Sequence, residues 1–176
     1  MPSTCGEKLN IKEDKWIFIA EMNEARSEFQ VVSCGKYLWA IGGEGTNGVL
    51  KTTEFYDVII NKWKKSTPMI EKRSGHSAVA FREDIYVIGG LNDVGFLSST
   101  EKLDTTSEQW TSISSMRIPR HSFGTAINGH KLYCFGGDLV TGTSVVYFDL
   151  YSEVWVEEGR MPENFRSFSA FTLYNV

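Results

Sequence analysis

The amino-acid sequence predicts an all-β protein assembled from copies of one supersecondary unit, and three observations carry that prediction. Glycine pairs recur at a 47-residue interval, as Gly42-Gly43, Gly89-Gly90 and Gly136-Gly137. Tryptophan keeps the same interval at Trp16, Trp63 and Trp110, then returns at Trp155 after 45 residues. No stretch of useful length shows the 3.6-residue apolar period of a helix. A period of this size marks an array whose units bury their apolar faces only by stacking on one another.

The copy from Arg73 to Met116 shows the elements in order. Ser77-Ala78-Val79-Ala80-Phe81 reads as a first strand of small and branched residues, and Arg82-Glu83-Asp84 as a polar turn. Ile85 to Ile88 is a β-rich second strand stopped by Gly89-Gly90. Leu91 to Ser99 is a loop, Thr100 to Leu103 a third strand, Asp104 to Gln109 a turn, and Trp110 to Ile113 a fourth strand. The other copies superimpose: an apolar-Asp pair (Tyr56-Asp57, Leu103-Asp104, Phe148-Asp149) precedes each tryptophan, and Met22, Met69, Met116 and Met161 follow it. The third copy is two residues shorter between diglycine and aspartate, which marks that stretch as an exposed loop.

Residue size along the unit points to a radial arrangement. First strands are rich in small residues (Ser33; Gly75, Ala78, Ala80; Gly124, Ala126; Ser169, Ala170), which suits strands crowded at an axis. The tryptophans lie on last strands, at a wide rim where they can fill space between neighbouring sheets. This taper favours a propeller over a flat sandwich.

Diglycine after an apolar strand, apolar-Asp, Trp six residues later and Met six after that resembles the kelch repeat, whose family fold is the β-propeller. Arg26, Arg73 and Arg120, each four after its methionine, also fit the family pattern, whereas Arg166 lies five after Met161. The expected fold is a partial kelch propeller: three complete four-stranded antiparallel blades plus two incomplete terminal ones. Residues 1–22 supply third and fourth strands, since Glu7-Lys8-Leu9-Asn10 before Trp16 echoes Glu101-Lys102-Leu103-Asp104 before Trp110. Residues 23–69, 70–116 and 117–161 supply whole blades, and 162–176 a first strand. The two ends together lack a diglycine strand, so the chain reads as a segment of a larger propeller with exposed edges.

Bulk composition excludes several classes. Hydrophobic content of 41% and charged content of 23% are those of an ordinary globular protein. Net charge −4 argues against nucleic acid, and Lys62-Trp63-Lys64-Lys65 reads as a solvated rim. No apolar run is long enough to span a bilayer and no secretory leader opens the sequence, so no membrane is expected. Three cysteines at different phases (Cys5, Cys34, Cys134) give no disulfide framework, and no Asn-X-Ser/Thr acceptor occurs. The expected location is therefore cytoplasmic, with nuclear or cytoskeletal sites left open.

Gly43-Glu44-Gly45-Thr46-Asn47-Gly48 has the letters of a dinucleotide fingerprint, but Val49 to Val58 is strand-like and offers no helix N-terminus, so it reads as a flexible loop. His76, His121 and His130 stand at no metal-ligand spacing, and no base–orienter pair accompanies the neighbouring serines. No catalytic residue, cofactor or metal is expected. The repeated arginines read as framework residues, with Asp57, Asp104 or Asp149 as partners.

Sameness between copies suggests architecture, so recognition is expected where the copies differ. The structural set is Gly42, Gly43, Trp63, Arg73, Gly89, Gly90, Trp110, Arg120, Gly136, Gly137 and Trp155. The recognition set follows each arginine (Ser27, Glu28, Ser74, His121, and Ser167 in the shifted copy) or each diglycine (Glu44, Asn47, Leu91, Asn92, Phe96, Asp138, Thr141). Antiparallel order puts both loops at one end of each blade, around the channel mouth. The kelch resemblance implies a protein or peptide ligand there. Family members that read acidic peptides carry arginines two positions beyond the repeated one; Glu28, Gly75 and Ser122 stand there instead. The rim leans acidic (Glu28, Glu44, Asp93, Asp138), which points to a basic or polar ligand. The family resemblance further implies a substrate-recognition propeller of a BTB–kelch adaptor for cullin ubiquitin ligases. Actin binding is the alternative, and a propeller enzyme a distant third.

Overall fold

A computed structural model of the chain describes residues 1–137, 142–165, 167 and 170. Among these the regular structure is entirely β. A two-stranded sheet comes first, β1 (Glu7–Asn10) and β2 (Lys15–Phe18). Blade one comprises β3 (Gln30–Cys34), β4 (Tyr37–Ile41), β7 (Thr53–Asp57) and β8 (Lys62–Ser66), and carries a small hairpin, β5 (Glu44–Gly45) and β6 (Gly48–Val49), in its loop. Blade two is β9 (Ser77–Phe81), β10 (Asp84–Ile88), β11 (Thr100–Asp104) and β12 (Gln109–Ile113). Blade three is β13 (Gly124–Asn128), β14 (Lys131–Phe135), β15 (Ser144–Asp149) and β16 (Val154–Arg160). In all three, sequential strands pair antiparallel.

The residues explain the stacking. First strands β3, β9 and β13 lie side by side, and Ser77 Oγ meets Thr125 Oγ1 at 2.6 Å across the second gap. Only small side chains permit this approach. The second strands, such as Ile85-Tyr86-Val87-Ile88, are apolar on both faces because each face packs a neighbouring blade. One core cluster joins blades one and two (Val32, Trp39, Ile41, Phe55, Ile85, Leu103), and another joins two and three (Tyr86, Ile88, Phe123, Leu132, Phe148). Each fully buried side chain contributes roughly 2 kcal/mol, so the blades are held mainly by what lies between them.

The repeat tryptophans lie in these gaps. Nε1 of Trp63, Trp110 and Trp155 donates to the carbonyl of Ala20, Thr67 and Ser114, each at 2.9 Å and each on the preceding repeat. The rings are half-buried. In the N-terminal hairpin Leu9 opposes Trp16 as Leu103 opposes Trp110, the pairing of third and fourth strands, and Trp16 is 66% exposed.

The diglycines couple successive units. Gly43 N–H donates to Arg73 O and Gly90 N–H to Arg120 O, both at 2.7 Å. Gly42 and Gly43 have φ of +57° and +96°, and a Cβ on Gly43 would lie 2.5 Å from Ser27 O. Left-handed backbone and a close approach together exclude any side chain there.

Two expectations are corrected. The repeated arginines do not bond Asp57, Asp104 or Asp149. Each aspartate instead caps the turn after the third strand, as Asp104 Oδ1 does by accepting from Thr106 N (2.8 Å) and Ser107 N (3.1 Å). The Ser107 and Thr106 amides hold its carboxyl below the usual range. Asp104 lies three residues along the third strand from Glu101, which Arg73 meets, about 10 Å of extended chain. Gly43 to Gly48, expected as a flexible loop, forms the β5–β6 hairpin, which registers Glu44 against Val49 and Gly45 against Gly48.

Candidate functional site at the channel mouth

The mouth is built from backbone first. Gly75 N–H donates to Glu28 O (3.1 Å), Ser122 N–H to Gly75 O (2.8 Å), and Ser167 N–H to Ser122 O (2.7 Å). Glu28, Gly75, Ser122 and Ser167 all adopt the left-handed region, with φ between +51° and +56°. One main-chain belt therefore runs from linker to linker, whatever side chain each position carries. Ser167 thus shares the phase of Glu28, Gly75 and Ser122, not that of Ser27 and Ser74. Phe165 takes the arginine phase, since Gly137 N–H donates to its carbonyl as Gly90 N–H does to Arg120 O. Arg166 lies outside the described residues.

A second set of bonds ties the linkers to the loops after the second strands. Ser27 and Glu44 exchange main-chain bonds of 2.7 and 2.9 Å, and Ser74 and Leu91 do the same at 2.9 and 3.0 Å. Glu28, Glu44 and Asn47 are exposed and Ser27 is half-buried. Ser74 is 2% exposed, so its side chain is withdrawn from any ligand, a correction to its expected role. Leu91 bridges to Phe96, and Asn92 Oδ1 accepts from Val94 N (2.9 Å) and Gly95 N (3.3 Å), closing the blade-two loop. Phe96, 53% exposed, stacks on His121 with centroids 4.5 Å apart. Asp93 is engaged by Lys72 at 3.0 Å, so its charge is partly answered within the rim. Asp138 and Thr141 lie outside the described residues.

Beneath this surface lies the framework. Arg26, Arg73 and Arg120 are at most 2% exposed, and Nη1 of each donates to the first glycine carbonyl of its pair: Gly42 at 2.8 Å, Gly89 at 2.8 Å and Gly136 at 2.6 Å. Sequence reasoning missed two of their partners. Glu54 and Glu101, both 1% exposed, receive Arg26 at 2.9 Å and Arg73 at 2.8 Å. A signal was present: a glutamate recurring at 47 residues within an otherwise inward-packed strand must meet a cation or amides.

His76 is 2% exposed, and neither ring nitrogen has a hydrogen-bond partner of good geometry, although the Arg73 and Ile41 main chains flank the ring. It occupies the phase of Phe29 and Phe123. Burial, with the Arg73 charge beside it, lowers its pKa to about 3, so it is a neutral packing group. Burial likewise pushes the Cys134 thiol up to about 12 and raises that of Cys34; Cys5 is exposed. Among the described residues no cluster of His, Cys, Asp or Glu could hold a metal ion, and no helix is long and apolar enough to cross a membrane.

Known proteins resemble this arrangement. The model of the KLHDC2/KLHL20/DRC7 Kelch-repeats domain matches residues 8–175. Kelch-like protein 15 of Danio rerio is 35% identical over 51 residues, which is 29% of this chain and 8% of that protein. The solved structure of YjhT superimposes with a TM-score of 0.82 at 18% identity, covering 93% of this chain and 62% of the YjhT chain. At that identity the likeness concerns the fold, and the chain spans less than two thirds of either relative. With the repeat, the radial four-stranded sheets and a family model along nearly its whole length, the chain belongs to the kelch-repeat family of β-propeller interaction domains.

Proposed function

We propose that this chain is a non-catalytic recognition module, the substrate-binding propeller of a BTB–kelch adaptor for a cullin ubiquitin ligase, acting in the cytoplasm. One observation carries the reading. The belt through Glu28, Gly75, Ser122 and Ser167 holds the mouth rigid through main chain alone, which leaves side chains there free to differ between blades. Architecture and specificity are thereby separated, as a binding surface requires. The exposed carboxylates of Glu28 and Glu44, beside the Phe96–His121 stack, suit a basic or polar peptide turn. The relative named Kelch-like protein 15 supports the adaptor assignment.

The test is affinity capture from cell lysate with the wild-type chain and with Glu28→Arg/Glu44→Arg, both positions exposed and outside the core. The expected result is a protein that binds wild type, is lost with the double variant, and gains ubiquitin through a cullin complex in cells expressing the parent protein. Recovery of actin alone, equally by both baits, would reject the adaptor reading in favour of a cytoskeletal one.

A further inference from the structure

Of the four described belt positions at the channel mouth, three carry a side chain and one does not. Glu28, Ser122 and Ser167 share with Gly75 the left-handed backbone and the bonds from linker to linker. The glycine at 75 does more than relieve a close approach. A Cβ on Gly43 or Gly90 would fall 2.5 or 2.7 Å from a main-chain oxygen, whereas one on Gly75 would meet nothing nearer than 3.6 Å. The space over Gly75 is therefore open. Three side chains border it, with Ser122 Oγ at 3.6 Å, His121 Cδ2 at 3.7 Å and Glu28 Oε2 at 3.9 Å from that Cβ position.

The chemistry of this border is specific. Glu28 is exposed, and among the described residues its carboxylate has no ion-pair or hydrogen-bond partner. The linker cations nearest to it are engaged elsewhere: Arg26 with Glu54 at 2.9 Å, Arg73 with Glu101 at 2.8 Å, and Lys72 with Asp93 at 3.0 Å. On the other side, His121 brings the Cδ2 edge of its ring to the gap and stacks on Phe96, with centroids 4.5 Å apart and planes 21° apart. Phe96 is 53% exposed, so aromatic surface remains open beside this pair. An unanswered carboxylate, a hydroxyl and an aromatic pair thus surround a space that no side chain of the belt fills.

We propose that the gap over Gly75 seats the guanidinium of an arginine on a peptide ligand, an inference that rests on reading the mouth as the recognition surface. N–H groups of the planar fork donate to the Glu28 carboxylate on one side and to Ser122 Oγ on the other. Guanidinium–carboxylate pairs are charge-assisted and often bidentate, which gives direction as well as strength. The methylenes that carry the cation lie along the Phe96–His121 pair. A guanidinium also packs flat on aromatic rings, whereas an ammonium is a compact, strongly hydrated charge without a fork, so the seat favours arginine over lysine. Because the belt itself is main chain, the selectivity comes from three side chains and one missing one.

NMR titration of the chain's amide signals tests it with acetylated, amidated pentapeptides Gly-Gly-X-Gly-Gly, where X is arginine, lysine, glutamate or citrulline (arginine's shape without its charge). The arginine peptide should shift the Gly75 and Ser122 signals saturably at millimolar concentrations. Lysine should bind more weakly, and citrulline and glutamate should leave both signals unmoved. Glu28→Gln, an exposed change outside the core, should weaken arginine binding at least about tenfold. Gly75→Asn suits the left-handed backbone yet fills the gap, so it should abolish binding with the thermal melt retained. If Gly75→Asn does not fold, Glu28→Gln decides alone. No saturable shift at Gly75, equal binding by wild type and Glu28→Gln, or equal binding of the citrulline or lysine peptide would overturn the arginine seat. Capture of a protein that Glu28→Arg/Glu44→Arg releases, with no binding of the arginine peptide, would sink the seat and leave the mouth reading in place. Arginine-peptide binding with no protein captured would support the seat and count against the adaptor reading.

Discussion

Blade two and blade three share strand order, diglycine, tryptophan and turn cap, yet they differ in the residues at the positions where blade two receives its linker. Blade two closes a buried ion pair, Arg73 with Glu101, over the amides of Ile70 and Glu71. Blade three sets Val146 and Ile118 at the equivalent positions, with a wider cavity and a bulged strand. A repeat can therefore hold its backbone constant while the interior side chains of one copy change. The packing residue after the belt differs as well, His76 in one blade and Phe123 in the other.

Making blade two resemble blade three should have the largest effect. Glu101→Val leaves Arg73 with the more exposed Glu71 and uncaps two amides, so a loss of about 3–5 kcal/mol is expected in denaturant titration. A loss below about 1 kcal/mol would mean that blade two does not depend on its ion pair.

The tryptophans should behave alike in the two blades. Trp110→Ala and Trp155→Ala each remove a half-buried ring and an indole bond to the preceding unit, and about 3 kcal/mol is expected for either. Unequal losses would show that blade three is packed less firmly than blade two.

His76 supplies a pH-dependent difference. Its folded pKa of about 3 lies below the unfolded value of about 6.5, so below pH 6.5 the unfolded chain takes up a proton that the folded chain refuses. Stability is then full above about pH 6.5 and declines as pH falls towards 3, with about 2 kcal/mol lost between pH 7 and pH 5. His76→Phe, which copies Phe123, should flatten this dependence in melts at the two pH values. An unchanged slope would place the titrating group elsewhere.

The smallest effect concerns a feature the blades share. Asp104→Ala and Asp149→Ala each delete a half-buried turn cap, and small decreases in Tm are expected for both, below those of the tryptophan variants.

Most of the fold was legible because its determinants are local and recur. Small residues mark strands at the axis, apolar runs mark strands covered on both faces, and glycine pairs mark a backbone that no side chain can enter. The site was less legible. Phase alone put Glu28 in a linker and Glu44 and Phe96 in the loops after second strands, where all three are exposed. Ser74 could not be known to be withdrawn, because its burial depends on its pairing with Leu91 in a separate loop, nor Ser167 to share the phase of Ser122, because that rests on a hydrogen bond between successive linkers. The partner of Arg73 was misassigned for a related reason. Aspartate and glutamate lie three residues apart in sequence, but opposite ends of a five-residue strand divide them.

What the sequence determined alone was the unit and its repetition, since a strand's period, a glycine's freedom and a tryptophan's bulk act within a few residues. Only the tertiary structure decided which charges meet, which serine is hidden and where Val146 in place of a glutamate opens space. Such pairings arise when one blade closes on the next, and the energy of a buried charge depends on the neighbour that closure brings to it.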